Sequence, residues 1–316
     1  MPRRAQVVLG IGDDCALLAA PPGQQLAVSS DMLVEGRHFL AEVEPAALGH
    51  KALAVNLSDL AAMGAQPLAF TLALALPPER AGDAAWLDAF AGGLMQLAAE
   101  HGCALIGGDT TAGPLNVCIT VFGLVPPGQA PRRDGARADE DLWVSGALGD
   151  ARLALEALRG GLALPPGLLA QARQRLERPT PRIALGLALR GTASSCIDLS
   201  DGLAGDLQHV LRASRVGASV DAGTVAGLLQ TPAPLTPQQR YAFTLAGGDD
   251  YELLFTAPPD RRAAVLAAAH AAATPVTRIG QITAAPGLVL RDAQGRAITG
   301  NFAGFDHFSG HATGTA

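Results

Sequence analysis

Short apolar runs that end on glycines, hydroxyls and carboxylates recur along this chain, with helical periodicity between them. Val7 to Leu9 reads as a strand entering Gly10-Ile11-Gly12-Asp13-Asp14, and Leu26 to Asp31 as a second strand closing on Ser29, Ser30 and Asp31. From Pro45 onward, Leu48, Ala52, Val55, Leu60 and Met63 repeat at helical spacing, with Gly64 and Pro67 as stop signals. Asn56 and Asp59, three apart, share one face of that helix. Asp59 lies late in the helix, against the macrodipole, so it calls for a partner or a ligand. Leu68 to Leu76 is a strand, and Asp83 to Glu100 is an amphipathic helix closed by Gly102. Cys103 to Thr111 is a strand running into Gly107-Gly108-Asp109-Thr110-Thr111, and Asn116 to Val125 is another.

The proline- and glycine-rich stretch from Pro126 to Gly135 is the best boundary, dividing the chain into regions 1–134 and 135–316. The second region opens with a strand at Leu142 to Val144 and helices near Asp150–Leu158 and Arg182–Leu189. Ser195-Cys196-Ile197 then leads into Asp198-Leu199-Ser200-Asp201-Gly202, after which Leu203, Leu207, Val210 and Leu211 begin a helix. In an extended segment Asp198 and Ser200 point to the same side, while Asp201 sits where an acid can cap the helix. Gly247-Gly248-Asp249-Asp250-Tyr251-Glu252 precedes a strand at Leu253–Thr256, and further strands are predicted at Thr277–Ile282 and Leu288–Leu290. Strands alternating with helices describe an α/β protein of two domains.

Composition narrows the function. With 316 residues, 49% hydrophobic and 16% charged, the chain has material for two real cores. A net charge of −6 without a basic block gives nucleic acid no electrostatic foothold. The longest apolar run, Leu60 to Leu76, is interrupted by Gly64, Gln66 and Pro67, so no membrane span is expected. Cys15, Cys103, Cys118 and Cys196 are scattered in apolar contexts without Cys-x-x-Cys spacing, which points to buried free thiols in a reducing cytoplasm. Lys51 is the only lysine; codon bias explains that, and so does a position arginine cannot fill.

Six acidic loops (Asp13/Asp14, Asp31, Asp59, Asp109, Asp198/Asp201 and Asp249/Asp250) are expected to gather at one sheet edge. Each alone is a turn or cap. Together, carboxylates and hydroxyls with few histidines suit Mg²⁺ or Mn²⁺, and magnesium typically shares its shell with phosphates. Neighbouring glycines would let backbone amides approach those phosphates. Phosphoryl transfer follows as the leading chemistry, without a Walker A lysine and without the protein-kinase signature set.

The motifs Gly10-Ile11-Gly12-Asp13-Asp14-Cys15-Ala16, Ser29-Ser30-Asp31, Asn56-Leu57-Ser58-Asp59-Leu60, Gly107-Gly108-Asp109-Thr110-Thr111, Ile197-Asp198-Leu199-Ser200-Asp201-Gly202, Gly247-Gly248-Asp249-Asp250-Tyr251-Glu252 and Gly304-Phe305-Asp306-His307-Phe308 together resemble the thiamine-monophosphate kinase family, of the aminoimidazole-ribonucleotide-synthetase-like superfamily. The resemblance implies a homodimer whose N-terminal domains build a shared β-barrel, beside an α+β C-terminal domain. It implies transfer of the ATP γ-phosphoryl group to thiamine monophosphate, with several Mg²⁺ ions and ATP as co-substrate. Carried over by position, Asp14, Ser29, Ser30, Asp31, Asp59, Asp109, Asp198 and Asp201 would form the metal shell. Gly108, Asp109, Arg133 and Ser200 would hold ATP, and His38, Asp249 and Phe302 would contact thiamine monophosphate. No catalytic base is called for: the nucleophile is a phosphate oxygen whose second pKa near ~6 leaves it deprotonated at neutral pH.

The chain departs from the family pattern where only nine residues precede Gly10, where Asp249 replaces a common glutamate, and where Phe302 and Phe305 replace tryptophan and tyrosine. Aminoimidazole-ribonucleotide synthetase is the closest enzymatic alternative, and a non-catalytic metal- and nucleotide-binding protein the alternative from another class.

Overall fold

A computed structural model describes residues 4–298 and Phe302. The closing motif Gly304 to Phe308 lies outside the described residues. Two compact units emerge, Met1–Pro131 with Glu177–Gly191, and Arg132–Leu176 with Thr192–Ala316.

The first unit carries a small hairpin, β1 (Val7–Leu9) and β2 (Leu17–Leu18), then β3 (Gln25–Val34), α1 (Pro45–Ala62), β4 (Gln66–Leu76), α2 (Pro78–Ala81), α3 (Ala84–Glu100), β5 (Ala104–Ala112) and β6 (Asn116–Val125). The last four long strands form a mixed sheet in the order β3-β6-β4-β5, antiparallel except for the β4–β5 pair. Pro67 begins β4 rather than ending α1: the helix stops at Ala62 and Gly64 turns the chain with φ +56°. One turn residue is enough, and proline is tolerated at the first positions of a strand.

Almost every residue of α1 is buried, so the helix runs through this unit as its core. It crosses α3 at Gly49 and Gly93. A Cβ on Gly49 would stand 2.0 Å from the Phe90 carbonyl, and one on Gly93 would stand 1.9 Å from that of Ala46. Only bare backbone permits that approach. Asp83 caps α3 by accepting the Trp86 amide at 3.0 Å.

The chain enters the second unit and then returns. It forms β7 (Asp141–Ser145), α4 (Asp150–Leu158) and α5 (Pro166–Glu177), after which α6 (Ile183–Ala188) packs on α1 of the first unit. The reading of 135–316 as one continuous region therefore gives way to an interrupted one. Gly186 provides the physical reason, since its missing side chain would collide with the Ala61 carbonyl at 2.0 Å, and Arg190 Nε donates to the Gly64 carbonyl at 2.6 Å.

The second unit continues with β8 (Ser195–Asp198), α7 (Leu203–Ser214), β9 (Gly217–Asp221), α8 (Ala222–Ala226), α9 (Pro237–Ala246), β10 (Leu253–Ala257), α10 (Arg262–Ala271), β11 (Val276–Thr283) and β12 (Gly287–Arg291). Its sheet runs β12-β9-β11-β7-β10-β8, with β12–β9 parallel and the other pairs antiparallel. Leu142, Val144, Ile197, Leu199, Leu203, Leu207, Val220 and Leu254 meet in its main core.

Candidate functional site

In the first unit, β3 lies on the last turns of α1, and this contact assembles the densest polar group among the expected site residues. Alternation along β3 turns Ser29 and Asp31 inward and Ser30 outward. Ser29 Oγ donates to Asp59 Oδ2, and the Asp31 amide donates to Asn56 Oδ1 at 3.1 Å. Asp59 thus finds the partner that its place late in a helix requires. Asn56 is held in turn by its own donation to the Ala52 carbonyl at 3.0 Å.

Asp31 and Asp59 also share a hydrogen bond. Burial, followed by the charge of Asp59 and that bond, raises the Asp31 carboxyl from 3.8 to about 7. Two carboxylates held this close favour one proton between them or a cation beside them.

The other expected members of the shell stand apart from this pair. Ser30 Oγ meets Thr120 Oγ1 at 3.0 Å and the Ile119 carbonyl at 3.2 Å on the opposite side of the strand. Asp109 sits on β5 in register with Ala73. β6 and β4 intervene between β3 and β5, a separation of roughly 14 Å at ordinary strand spacing. Asp14 lies exposed in the turn after β1, its amide bonded to the Asp13 carboxylate at 2.9 Å. Among the described residues no group of three or more His, Cys, Asp or Glu side chains could hold a metal ion. The expectation of acidic loop tips meeting at a sheet edge is corrected here. Asp31 and Asp109 lie inside strands and Asp59 inside a helix, and what converges is one strand face upon one helix.

Gly108 occupies a position with φ +148°, where a Cβ would fall 1.8 Å from the Leu72 carbonyl. His38 Nδ1 accepts the Val34 amide at 3.0 Å, which leaves Nε2 as the ring's donor. Lys51 is 2% exposed and donates to the His38 carbonyl at 3.3 Å. The sole lysine therefore secures the segment that carries His38 from within α1.

In the second unit, two glycine-rich segments lie backbone to backbone. The pairing of β8 with β10 continues past the strand ends, with Leu199 N–H to the Glu252 carbonyl at 2.9 Å, Tyr251 N–H to Leu199 at 2.8 Å and Asp249 N–H to Ser200 at 2.8 Å. Gly248, Asp249 and Tyr251 all have positive φ (70°, 60° and 50°). A side chain on Gly248 would also press on the Ser200 carbonyl at 2.8 Å. Non-glycine residues held in the left-handed region cost free energy, and such strain concentrates at functional segments.

The acids of this loop divide by role. Asp249 is half-buried, whereas Asp250 and Glu252 are interior. Asp250 Oδ1 accepts the Gly149 amide at 2.9 Å, and burial holds its carboxyl well above the usual range. Glu252 accepts from Ser145 Oγ at 2.6 Å and from Arg175 Nη2 at 2.6 Å. Asp198 ends β8 with 5% exposure, Ser200 and Asp201 follow half-buried, and Asp201 does not cap α7. Asp206 does that work instead, accepting the amides of Asp201 and Gly202 at 3.1 Å each. Burial, then the charge of Asp201, raises the Asp206 carboxyl to about 7. No sequence signal singled out Asp206, although Asp-x-x-x-x-Asp spacing at the start of a helix would have allowed it.

Arg133 is exposed in a short 3-10 turn whose carbonyl accepts Ser214 Oγ at 2.8 Å. Phe302 is half-buried against the main core of the second unit. Of the four thiols expected to be buried, Cys103 and Cys196 are, whereas Cys15 is exposed in the turn after β1 and Cys118 is half-buried on β6. Burial pushes the Cys103 thiol up to about 12, and burial with Asp198 nearby pushes Cys196 up as well, so neither is a thiolate nucleophile.

Comparison with known proteins adds an independent line. Family models for AIR synthase related protein match residues 12–125 with the N-terminal domain and 144–293 with the C-terminal domain. A thiamine-monophosphate kinase of Escherichia coli (strain K12) is 46% identical over 309 residues, 97% of this chain and 94% of that protein. The crystal structure of thiamine-monophosphate kinase from Stenotrophomonas maltophilia K279a superposes with a TM-score of 0.84 at 45% identity, covering 93% of each chain. A structure described as AaThiL complexed with AMPPCP and TMP superposes at 0.78 with 27% identity, covering 92% of this chain and 89% of that one.

Proposed function

The chain belongs to the thiamine-monophosphate kinase family, within the AIR synthase related proteins, and from that membership we propose how its residues carry out the family's reaction. It phosphorylates thiamine monophosphate with ATP as co-substrate, giving thiamine diphosphate and ADP. The observation that carries the metal assignment is the Asp31–Asp59 pair with the Ser29 hydroxyl. Two carboxylates and a hydroxyl, all hard oxygen donors, fit Mg²⁺ far better than they fit one another.

We assign Asp14, Ser29, Ser30, Asp31, Asp59, Asp109, Asp198 and Asp201 to several Mg²⁺ ions, which when bound would neutralise and align the phosphates. Gly108, Asp109, Arg133 and Ser200 are assigned to ATP, and His38, Asp249 and Phe302 to thiamine monophosphate. Arg133 offers a planar guanidinium suited to a phosphate's paired oxygens, on a turn fixed by Ser214. His38 offers an Nε2–H donor, and Phe302 offers an aromatic face to the thiazolium cation. The acceptor oxygen arrives deprotonated, so the protein's task is to overcome repulsion between the acceptor phosphate and the ATP phosphates and to hold them in line. A side chain acting as general base has no place in this scheme.

We further propose a homodimer formed through β3. Six of the exposed large apolar side chains lie between Val8 and Met32, and Leu26, Val28 and Met32 share the outward side of an edge strand. A long apolar edge of this kind is a template for pairing. A cytoplasmic setting agrees with ATP as co-substrate and with four unpaired cysteines.

The test is ADP release from Mg-ATP with thiamine monophosphate, thiamine or formylglycinamidine ribonucleotide as acceptor. Release with thiamine monophosphate is expected; release with the last compound alone would overturn the reading.

A further inference from the structure

Ser200, Asp201 and Gly202 connect β8 to α7, and their backbone turns toward one carboxylate. Asp206 Oδ2 accepts the Asp201 and Gly202 amides, each at 3.1 Å, and Ser200 contributes a third backbone hydrogen bond to the same group. Asp206 is 3% exposed and stands in the first turn of α7. Successive amides at the start of a helix make an anion-binding nest, the arrangement that cradles phosphate in many nucleotide sites. In this chain the nest is already filled from inside. The same loop is tied on its other edge by the Asp249 amide, which donates to the Ser200 carbonyl at 2.8 Å.

With its amides taken, the loop has no open donor for an anion, and it presents the side chains of Ser200 and Asp201 beside Asp198. A loop whose amides were open would attract phosphate directly and would set that attraction against its own carboxylates. Resting on the assignment of Asp198, Ser200 and Asp201 to cations, we infer that Asp206 is a positioning residue that converts this loop from an anion-binding to a cation-binding element by occupying its amides. Asp206 touches neither substrate nor metal in this scheme and acts through the backbone of its neighbours.

The test uses the full-length protein with AMPPCP and reads bound Mn²⁺ by EPR. Asp206→Ala is expected to weaken Mn²⁺ binding by about tenfold or more, the scale on which groups orienting metal ligands act. Excess formate, filling the vacated space, restores binding in Asp206→Ala and does nothing to the unmutated protein. Asp206→Asn keeps an acceptor oxygen for both amides and stays within about threefold of the unmutated protein. In steady state the half-saturating Mg²⁺ concentration moves while KM for thiamine monophosphate does not. Unchanged Mn²⁺ binding in Asp206→Ala overturns the inference. So does Asp206→Asn binding about tenfold more weakly, which remains readable should the alanine variant not fold. Asp201→Asn and Asp198→Asn separate the two layers. If neither weakens Mn²⁺ binding, the cation assignment itself fails; if they do and Asp206→Ala does not, only the positioning role fails.

Discussion

At the residue scale, Asp31 couples function to stability with a definite sign. Its carboxyl titrates near 3.8 when unperturbed and at about 7 in the fold, because burial and Asp59 disfavour the charge. The native state therefore holds a proton that the unfolded chain releases between those values, and stability falls as pH rises from about 4 to about 7, then levels off. Asp31→Asn removes that cost. In EDTA at pH 8 the variant should be more stable by about 1–2 kcal/mol, a figure already discounted for the part of the side chain still in contact with solvent. At pH 4 the gain should vanish. Turnover should nevertheless drop by about 100-fold or more, since an amide is a poor magnesium ligand. Thermal melts at both pH values beside an ADP assay check the pair of effects; a gain that persists at pH 4 would assign it to packing instead. Asp109→Asn, on an exposed stretch of β5, should lose turnover with a stability change within about 0.5 kcal/mol. Near-normal turnover at saturating Mg²⁺ would remove Asp109 from the metal shell.

At the element scale, the segment from Gly247 to Glu252 shows how much of the site was legible in sequence and where legibility ended. The motif could be recognised as important, but its acids could not be sorted. Asp249 faces outward enough to meet a ligand, whereas Asp250 and Glu252 anchor the turn to Gly149, Ser145 and Arg175 from more than seventy residues away. Glu252→Ala leaves the partly buried Arg175 guanidinium without its carboxylate partner and should cost about 3 kcal/mol. A denaturant midpoint unchanged in that variant would deny the anchor. The strands and helices around the motifs were legible because their apolar periodicity is local, as in α1 and α3. Asp31 inside β3, β9 and the return of α6 to the first unit were not, because each depends on a partner far away in sequence; the Asp206 cap is local, but an acid four residues into a helix is not marked as a ligand of the amides before it until the turn is known. A carboxylate in mid-strand reads as a strand end until the Asn56 and Asp59 side chains opposite it are known.

At the scale of the whole molecule, the chain carries a net charge of −6 and yet acts on two substrates through their anionic phosphates, so attraction must come from bound cations and from local groups such as Arg133. The same scale raises the question of what covers β3. This strand is ten residues long, pairs among the described residues only with β6, and displays Leu26, Val28 and Met32 at 43%, 58% and 52% exposure. Left in water, such an edge invites uncontrolled pairing, and natural sheets blunt it with charge, proline or a cover. Neither charge nor proline interrupts the outward row from Leu26 to Met32, in which the one polar member is Ser30. A second copy of the chain supplies a cover of matching character. Val28→Glu places a carboxylate at the middle of that row, where docking would bury it without a partner at a cost of several kcal/mol. Light scattering after gel filtration should then report half the mass of the unmutated protein, with the monomer's thermal transition preserved at low pH where the new glutamate is neutral. Equal masses for both proteins would place the dimer contact elsewhere. A monomeric Val28→Glu that retained full turnover would show that β3 pairing serves solubility, because Ser29 and Asp31 on the inward side of the same strand would then be held by α1 alone.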